Sequence, residues 1–286
     1  MRAVIYHDPN NTRSKIVCAA MMQGILENGD DPVSVRFQQW RGETSGHVAV
    51  MYGAGGRRKA IQEAYQEAGK HSVYIDLGYW RRKEGHGMQR WRGYHKIVAD
   101  GLHPIRQLKE IGDPGPGRFQ ALGIPVSDWR DGDAILVAGM SGKSAATHGM
   151  AAETWERAAI EKLRDLTDRE IIYRPKPSWP DARPLPGTTY SPGDQPLHSA
   201  LARAHAVVSH HSNVAVDAIA AGLNIYVEAG AAKPMSAGSM DAVLCPVRRR
   251  SKARERLLNA LAWCQWNVDE MARGEPWHHL KQQGFI

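Results

Sequence analysis

The sequence predicts an α/β protein built from two Rossmann-like domains, each with a parallel sheet. Short apolar runs rich in Val, Ile and Ala alternate with segments of helical periodicity along the 286 residues, and this alternation is typical of strand–helix–strand units. Polar or glycine-rich turns follow several of these runs, as they do where a strand leads into a helix. The length allows two domains of ordinary size.

The first half of the chain predicts one such domain, residues 1–126. Its β-branched apolar runs predict strands and its amphipathic segments predict helices. The strands are 3–6, 33–37, 47–51 and 72–76, and the helices are 14–26 and 59–68. A turn-rich stretch at 112–117 and the segment 123–130 then carry the chain into a second domain, 127–250, which a tail of 251–286 follows.

The second domain begins with a buried strand and a glycine-rich turn. The strand starts at 133 and the turn follows from Gly139 to Ser144. A nucleotide-kinase phosphate loop requires glycine at position 137, where this chain has Val, so that motif is excluded. Backbone amides, Ser141 and Lys143 remain candidates for contact with a phosphate or a sugar.

A second strand, starting at Glu170, runs into the sequence Arg174-Pro175-Lys176-Pro177. The prolines end strand pairing and fix the backbone, while two cations project from it. Arg174 and Lys176 therefore suit a diphosphate. The alternative is a proline-stiffened surface loop with solvated charges.

The most informative stretch is 206–228, which predicts a strand, a polar elbow, a helix and another strand. The helix begins near Asn213 and ends at Gly222, and Asp217 lies one turn inside it. Ligands bind at the carboxyl edge of open sheets, and helix starts attract anions. A carboxylate at this spacing suits a ribose, although an Asn cap with a solvated Asp is the commoner arrangement. The predicted diphosphate ligands in the elbow are His210, His211, Ser212 and Asn213.

These residues carry a resemblance to nucleotide-sugar-dependent glycosyltransferases of the GT-B type. Their donor motif runs His, small residues, Asn or Ser, an acid four residues on, and Ala-Ala-Gly-x-Pro. The chain has His210, Asn213, Asp217 and Ala-Ala-Gly222. It departs from the motif with Asp in place of Glu, and with Asn224 in place of Pro. The segment Arg174 to Pro177 is similar to the Arg-Pro-His-Pro element of capsule-type enzymes.

The resemblance implies a GT-B fold in which two domains face a cleft, with a carboxyl-terminal helix that packs back toward the first domain. It implies a nucleotide-sugar donor, of which a UDP-sugar is the first expectation, and no firm metal requirement. The order of these motifs and the basic, Trp-rich tail also resemble small bacteriophage proteins of this fold. That likeness implies transfer to hydroxymethylated pyrimidines in DNA, in the cytoplasm of a host cell.

The net charge of +7 and a pI near 9.4 favour a polyanionic partner. Cations alternate with aromatic residues between 79 and 96, and such a segment can attract phosphates and stack on bases. A solvated loop with a few packed rings is the equally weighted alternative. A further basic cluster spans 248–254. The predicted DNA-binding residues are Arg57, Arg58, Trp80, Arg81, Arg82, Arg90, Trp91, Arg92 and Lys96.

Transfer to a hydroxyl also needs a base, expected from the first domain at the carboxyl end of a strand, across the cleft. Asp76 is the first choice because it ends the strand 72–76. Asp8 follows the first strand, and Asp100 or His103 is the third option. Each can equally be a turn residue that caps a helix.

Cys18, Cys245 and Cys264 are scattered and predict buried thiols rather than a disulfide framework. His210–His211 and His278–His279 lack the spacing that aims two imidazoles from one helix at a metal, so no metal site is predicted. No apolar run has the length of a membrane span, and a cytoplasmic monomer is expected. Two other functions remain open: a glycosyltransferase of surface polysaccharide synthesis, and a non-catalytic nucleotide- or DNA-binding module.

Overall fold

The protein forms two compact units. The computed structural model describes residues 1–83, 86–245 and 250–286. The first unit contains Met1–Leu122 together with Asn259–Ile286, and the second contains Gly123–Leu258.

Strands and helices alternate in both units. In the first part of the chain they are β1 Arg2–His7, α1 Thr12–Glu27, β2 Asp31–Arg36, β3 Val48–Tyr52, α2 Arg57–Glu67, β4 His71–Leu77, β5 His95–Ala99, α3 Ile105–Glu110 and α4 Gly117–Ala121. The second unit adds β6 Ala134–Ala138, α5 Gly142–Thr147, α6 Thr154–Leu166, β7 Glu170–Arg174, β8 Thr189–Tyr190, α7 Leu197–Arg203, β9 Ala204–Ser209, α8 Val214–Ala220 and β10 Asn224–Val227. The last part contains α9 Ser251–Ala262, β11 Gln265–Trp266, α10 Val268–Ala272 and α11 Glu275–Gln282.

The described part of the first unit has a six-stranded sheet in the order β11-β5-β4-β3-β1-β2. Strands β1 to β4 are parallel, as the sequence predicts. The sheet is nevertheless mixed, because β5 and β11 are both antiparallel to their neighbours. In its described residues, the connection from β4 to β5 has a short 3₁₀ turn, Gly87–Arg92, as its regular element, and a parallel pairing would need a longer crossover, usually helical.

The predicted single helix of the carboxyl-terminal tail is wrong. The apolar spacing continues through the segment, but the backbone becomes extended at β11, where Gln265 pairs with Lys96 and Trp266 with His95. A new helix, α10, then begins at a capping box in which Asn267 and Glu270 exchange hydrogen bonds of 2.8 and 2.7 Å.

The tail packs on α1 within the first unit. A Cβ atom added to Gly24 would lie 1.9 Å from the carbonyl oxygen of Met271, so only glycine allows this close approach. Trp277 is fully buried, and its Nε1 donates a hydrogen bond to Asp30 Oδ2 at 2.8 Å. Lys281 Nζ donates to the same oxygen at 2.7 Å. One buried carboxylate therefore anchors α11.

The second unit has, among its described residues, a five-stranded parallel sheet in the order β10-β9-β6-β7-β8. Its central strands are completely buried and consist of apolar runs, as in parallel sheets covered on both faces. Gly222 ends α8 with φ +76°, and a Cβ there would lie 2.1 Å from the carbonyl oxygen of Asp128. This turn places β10 beside β9.

Two of the three predicted buried thiols are confirmed. Cys18 and Cys264 lie in the core, whereas Cys245 is exposed, because it follows the short 3₁₀ turn Ala242–Leu244 at the surface. In the described part of the chain, no helix combines the length and the apolar character that crossing a bilayer requires.

We predict that Asp30→Asn destabilises the protein by about 2 kcal/mol at pH 7. Burial alone raises the pKa of Asp30, but hydrogen bonds from Lys281, the Met1 amino group and Trp277 outweigh it and lower the pKa to about 2 from 3.8. The carboxylate therefore stabilises the folded state above pH 4, and this contribution disappears as the pH falls toward 2. Urea unfolding at several pH values measures the difference.

The neighbouring Asp31 provides the matched control, because its side chain is 70% exposed and its ion pair with Arg2 is long, at 3.8 Å. Asp31→Asn should change the unfolding free energy by less than about 0.5 kcal/mol. Equal effects of the two substitutions would contradict the anchoring role of Asp30.

Candidate functional site

The strand order of the second sheet reverses at β6, and this places a crevice at its carboxyl edge. Strand β7 lies on one side of β6 and β9 on the other, so the chain leaves the ends of β6 and β9 in opposite directions. Ligands bind at such points in open α/β sheets. The loop after β6 begins at Gly139, and the loop after β9 begins at His210. These are the two segments for which the sequence predicts donor contacts.

The loop after β6 is anchored by a buried glutamate of α6. Glu156 is 1% exposed, and its Oε1 accepts a hydrogen bond from the Met140 amide at 2.5 Å. Burial raises the pKa of Glu156, with the Met140 hydrogen bond acting in the opposite direction. A Cβ atom at Gly139 would lie 2.9 Å from the Tyr173 ring, so glycine is needed for the chain to pass.

Three histidines meet at the crevice. The Nδ1 atoms of His210 and His211 lie 2.8 Å apart, and the His148 ring centroid lies 4.8 and 4.5 Å from theirs. Ser144 Oγ, in the first turn of α5, contacts His211 Nε2 at 3.0 Å. This contact joins the start of α5 to the loop that follows β9.

A carboxylate lies next to His210 and is itself held by an indole. His210 Nε2 faces Glu228 Oε2 at 3.6 Å, and Trp155 Nε1 donates to Glu228 Oε1 at 2.6 Å. Burial lowers the pKa of His210, while Glu228 acts to raise it and His148 to lower it further. His210 is therefore held by partners on α6 and just after β10.

The other residues predicted for the donor site lie around this crevice. Ser141 caps α5 by accepting a hydrogen bond from the Ser144 amide at 3.2 Å, and Lys143 is exposed in the first turn of α5. Asn213 occupies the cap position of α8, but the side-chain bond at this helix start comes from Ser212, whose Oγ accepts from the Val214 amide at 3.2 Å.

Asp217 lies in the first turn of α8 and is partly buried. Its backbone amide donates to the carbonyl of Asn213 at 3.3 Å, which places the two residues one turn apart on the same helix face, as the sequence predicts.

The two cations after β7 differ from one another. Arg174 is 5% exposed and bonds inward, to Ser191 Oγ and Pro192 O at 3.0 Å each and to Gly193 O at 3.2 Å. It also donates to Gln195 O at 2.5 Å. Its guanidinium clamps the loop after β8, so the expected diphosphate contact does not match its position. Lys176, two residues on, is exposed.

In the first unit, Asp76 and Asp8 lie at the carboxyl edge of the sheet. Asp76 is on β4, where its Oδ2 accepts from Tyr74 Oη and its Oδ1 from the Leu77 amide, both at 2.8 Å. Burial raises the pKa of Tyr74, and the nearby charge of Asp76 raises it further. The phenol therefore stays protonated and remains a hydrogen-bond donor. Asp8 follows β1 and forms an ion pair of 2.9 Å with Arg58.

Asp100 lies at the opposite edge of that sheet, and His103 follows three residues later. Asp100 follows β5, which is antiparallel, so it returns to the start of β4. It accepts hydrogen bonds from the Ser72 amide and contacts His71 Nδ1, both at 2.8 Å. This placement separates Asp100 from Asp76 by the length of a strand and corrects its expected place at the carboxyl edge.

The predicted DNA-binding residues divide into exposed and buried ones. Trp80 is 5% exposed and packs on Phe119 with ring centroids 5.2 Å apart, so it cannot stack on a base. Lys96 is 6% exposed and donates to the Leu102 carbonyl at 3.1 Å. Both expectations are therefore corrected. Residues 84–85 of this segment and 248–249 of the basic cluster lie outside the described residues.

The remaining residues of the predicted DNA-binding set are exposed to different degrees. Trp91 is half-buried, with the Arg13 and Arg90 guanidinium carbons each 4.4 Å from its ring centroid. Arg82 donates to the Tyr79 carbonyl at 2.7 and 2.9 Å, and Arg58 covers the Phe37 ring. The exposed members of the predicted set are Arg57, Arg81, Arg90 and Arg92, of which Arg57 bonds to Gln38 and Arg92 pairs with Asp269.

Sequence reasoning missed several of these residues. The sequence motifs assign no role to Glu156, Glu228, Ser144 or His148. Glu156 was detectable, because it lies within the apolar stripe of α6 beside Trp155 and Ala159.

Comparison with solved structures shows which fold these sites belong to. No protein-family model matches the chain, and no curated protein matches it significantly in sequence. The KpsC beta Kdo 2,4 transferase of Thermosulfurimonas dismutans superposes with a TM-score of 0.54 at 10% identity, over 93% of this chain and 92% of that one. The KpsC beta Kdo 2,7 transferase of that organism gives 0.50 at 12% identity, over 97% and 99%. The fold is therefore GT-B-like, with two Rossmann-like units, which confirms the predicted fold class.

We predict that Arg174→Lys destabilises the protein by about 2 to 4 kcal/mol, because a lysine cannot reach the several carbonyl groups that the guanidinium holds. Chemical denaturation of the purified variant measures the loss.

Lys176→Gln is the matched control, since Lys176 is exposed two residues further on. It should alter stability by less than about 0.5 kcal/mol. If Arg174→Lys leaves stability intact, the clamp assignment is wrong.

Proposed function

We propose that the protein is a glycosyltransferase that moves a sugar from a nucleotide-sugar donor to a hydroxyl acceptor. The observation that carries the proposal is the carboxyl edge of the sheet in the second unit, where Ser144 at the start of α5 contacts His211 in the loop after β9. Open sheets of this type bind nucleotides at that place. The GT-B-like fold, shared with two sugar transferases, supports the same activity.

The donor site must stabilise the negative charge that develops on the departing nucleotide phosphate. Two exposed lysines, Lys143 and Lys176, follow β6 and β7 and can supply positive charge. Ser141, the elbow from His210 to Asn213, and backbone amides supply hydrogen-bond donors, and Asp217 is the candidate ribose ligand. In this proposal Arg174 positions a loop rather than contacting the phosphate.

The proposal assigns the acceptor proton to Asp76 of the first unit. Among the candidate bases, Asp76 lies near the end of β4 at the carboxyl edge of the sheet, whereas Asp100 lies at the other edge. Asp76 accepts hydrogen bonds from Tyr74 Oη and the Leu77 amide, and these bonds orient the carboxylate. A carboxylate in that position can take a proton from a hydroxyl during attack on the sugar.

Two acceptor classes stay within the proposal. The two structural neighbours are named as Kdo transferases, which favours a carbohydrate acceptor such as a surface polysaccharide. The exposed arginines of the segment 79–96, together with the half-buried Trp91 of that segment, favour DNA as the acceptor, with 5-hydroxymethylpyrimidines as the reactive bases. A DNA base would have to leave the helix stack to react.

The first experiment separates these acceptors. Purified protein is incubated with sugars activated by nucleoside diphosphates, UDP included, or by nucleoside monophosphates. The acceptor is either a set of oligosaccharides or DNA that contains hydroxymethylcytosine or hydroxymethyluracil. A sugar mass added to an oligosaccharide or to a nucleoside identifies the acceptor. Nucleotide binding without donor turnover under any condition would instead assign a non-catalytic module and contradict the proposal.

We predict that Asp76→Asn lowers kcat by about 10² to 10⁴, because the amide cannot accept the proton while it keeps the shape of the side chain. Donor affinity, measured by isothermal titration calorimetry, should stay within about twofold, since the donor site is assigned to the other unit.

Asp8→Asn distinguishes the two carboxylates at this edge and should reduce kcat far less, because the proposal assigns the proton transfer to Asp76, whereas Asp8 binds Arg58. A larger loss of kcat at Asp8 than at Asp76 would reverse the assignment.

If DNA is the acceptor, Arg81→Gln with Arg90→Gln should weaken DNA binding and reduce the slope of log K against log salt by about 2, because each phosphate contact releases about one counterion. Fluorescence anisotropy over a salt series measures this slope.

Arg273→Gln is the control for a general charge effect, because Arg273 is exposed in the same unit, outside the predicted patch, and pairs with Glu275. Identical slopes for the wild type, the Arg81→Gln and Arg90→Gln double variant and the Arg273→Gln control would remove the DNA surface from the proposal.

A further inference from the structure

The histidine cluster of the second unit has the composition of a metal site, which the sequence motifs do not indicate. One ring nitrogen from each of His148, His210 and His211 lies within 4.8 Å of the others. These residues come from different segments, after α5 and after β9, so the cluster depends on the fold rather than on local spacing. All three side chains are partly buried.

We propose that His148, His210 and His211 bind one divalent transition metal ion of the Zn²⁺ class. Three imidazoles suit Zn²⁺, Co²⁺, Ni²⁺ or Cu²⁺, whereas Mg²⁺ and Ca²⁺ require oxygen ligands. The proposal goes beyond sugar transfer and does not depend on it.

The ring orientations support this assignment. The Nδ1 atoms of His210 and His211 point at each other across 2.8 Å. Two nitrogen ligands at their usual distance from a tetrahedral Zn²⁺ lie about 3.4 Å apart, so the two nitrogens must separate by about 0.6 Å and the rings must turn until both lone pairs face the ion. His148 lies against both rings, and one of its nitrogens is within 4.8 Å of a nitrogen of each.

The outer nitrogens of the same rings have the partners that metal-bound histidines usually have. Such histidines donate their second N–H to a carboxylate, carbonyl or other acceptor, which fixes the ring and exposes the other nitrogen to the metal. His210 Nε2 faces Glu228, and His211 Nε2 contacts Ser144 Oγ. Glu228 is in turn held by Trp155 at 2.6 Å.

The serine hydroxyl lets the cluster exist with or without the ion. When Ser144 donates to His211, His211 Nδ1–H can donate to His210 Nδ1, and His210 Nε2–H faces Glu228. When the metal binds, the proton of His211 is carried by Nε2 instead of Nδ1, and Ser144 Oγ accepts a hydrogen bond from it. Both Nδ1 lone pairs are then available to the ion. A hydroxyl can serve in both states because it donates and accepts.

Three protein ligands leave one position open around a tetrahedral ion. Water or an anionic oxygen completes the coordination there. Because the cluster lies at the crevice to which the nucleotide is assigned, a phosphate oxygen is the natural fourth ligand. This last point alone rests on the proposed function.

The experiment measures metal binding without any assay of activity. Protein produced without a histidine tag is stripped with chelator and dialysed, and Zn²⁺ or Mg²⁺ is added in isothermal titration calorimetry, with the bound metal counted by mass spectrometry. We expect one Zn²⁺ per chain, no Mg²⁺ binding, and a visible Co²⁺ spectrum typical of four-coordination. A Zn²⁺ content near zero after titration overturns the proposal.

Variants show which residues bind the ion. His148→Ala and His211→Ala should each weaken Zn²⁺ binding by more than about tenfold, and Ser144→Ala and Glu228→Gln by about tenfold. His198→Ala, an exposed histidine of the same unit, should leave it unchanged. Thermal unfolding without metal verifies that each variant folds. Unchanged affinity in folded His148→Ala and His211→Ala would assign the ion elsewhere and refute the site.

The nucleotide is tested separately, by repeating the Zn²⁺ titration with UDP present. Tighter Zn²⁺ binding would place a phosphate oxygen in the fourth position. Equal affinity with and without UDP would refute only that fourth ligand, because the three-histidine site is judged by the metal count.

Discussion

The reversal of strand order at β6 is the constraint on which the rest of the second unit depends. Because β7 and β9 lie on opposite sides of β6, the loops after β6 and β9 part and leave polar backbone at the sheet edge. Buried polar groups need hydrogen-bond partners. Glu156 supplies one for Met140, and Ser144 and His211 supply each other. The crevice and its supports therefore have one topological cause.

Much of this architecture could be predicted from local sequence. The strands 3–6, 72–76 and 206–209 were detectable because parallel strands are buried on both faces and become short β-branched runs. The departures have non-local causes. Gln265 and Trp266 become extended because β5 offers a free edge far away in the chain, and apolar spacing cannot reveal that edge. The same applies to His148, whose neighbours are some 60 positions distant.

Side-chain position was harder to predict than backbone, because charge and ring content say little about burial. Arg174 and Lys96 both extend inward and donate hydrogen bonds to backbone carbonyls. A long charged side chain can bind a buried carbonyl as readily as it can reach solvent. Trp80 sits among cations in sequence but packs on Phe119 in space. Nearby Arg81 and Arg90 stay exposed, so one basic segment contains both core and surface residues.

The proposed donor site thus has two kinds of polar group with different physical properties. Burial lowers the pKa of His210, so at neutral pH its imidazole is a hydrogen-bonding group rather than a cation. In the proposal, the protein's own positive charge comes from Lys143 and Lys176, which are exposed. This division explains why the histidines, and not the lysines, are the residues held by fixed partners such as Ser144 and Glu228. Neutral groups act only through geometry, and geometry requires support, whereas a charge acts over distance and tolerates movement.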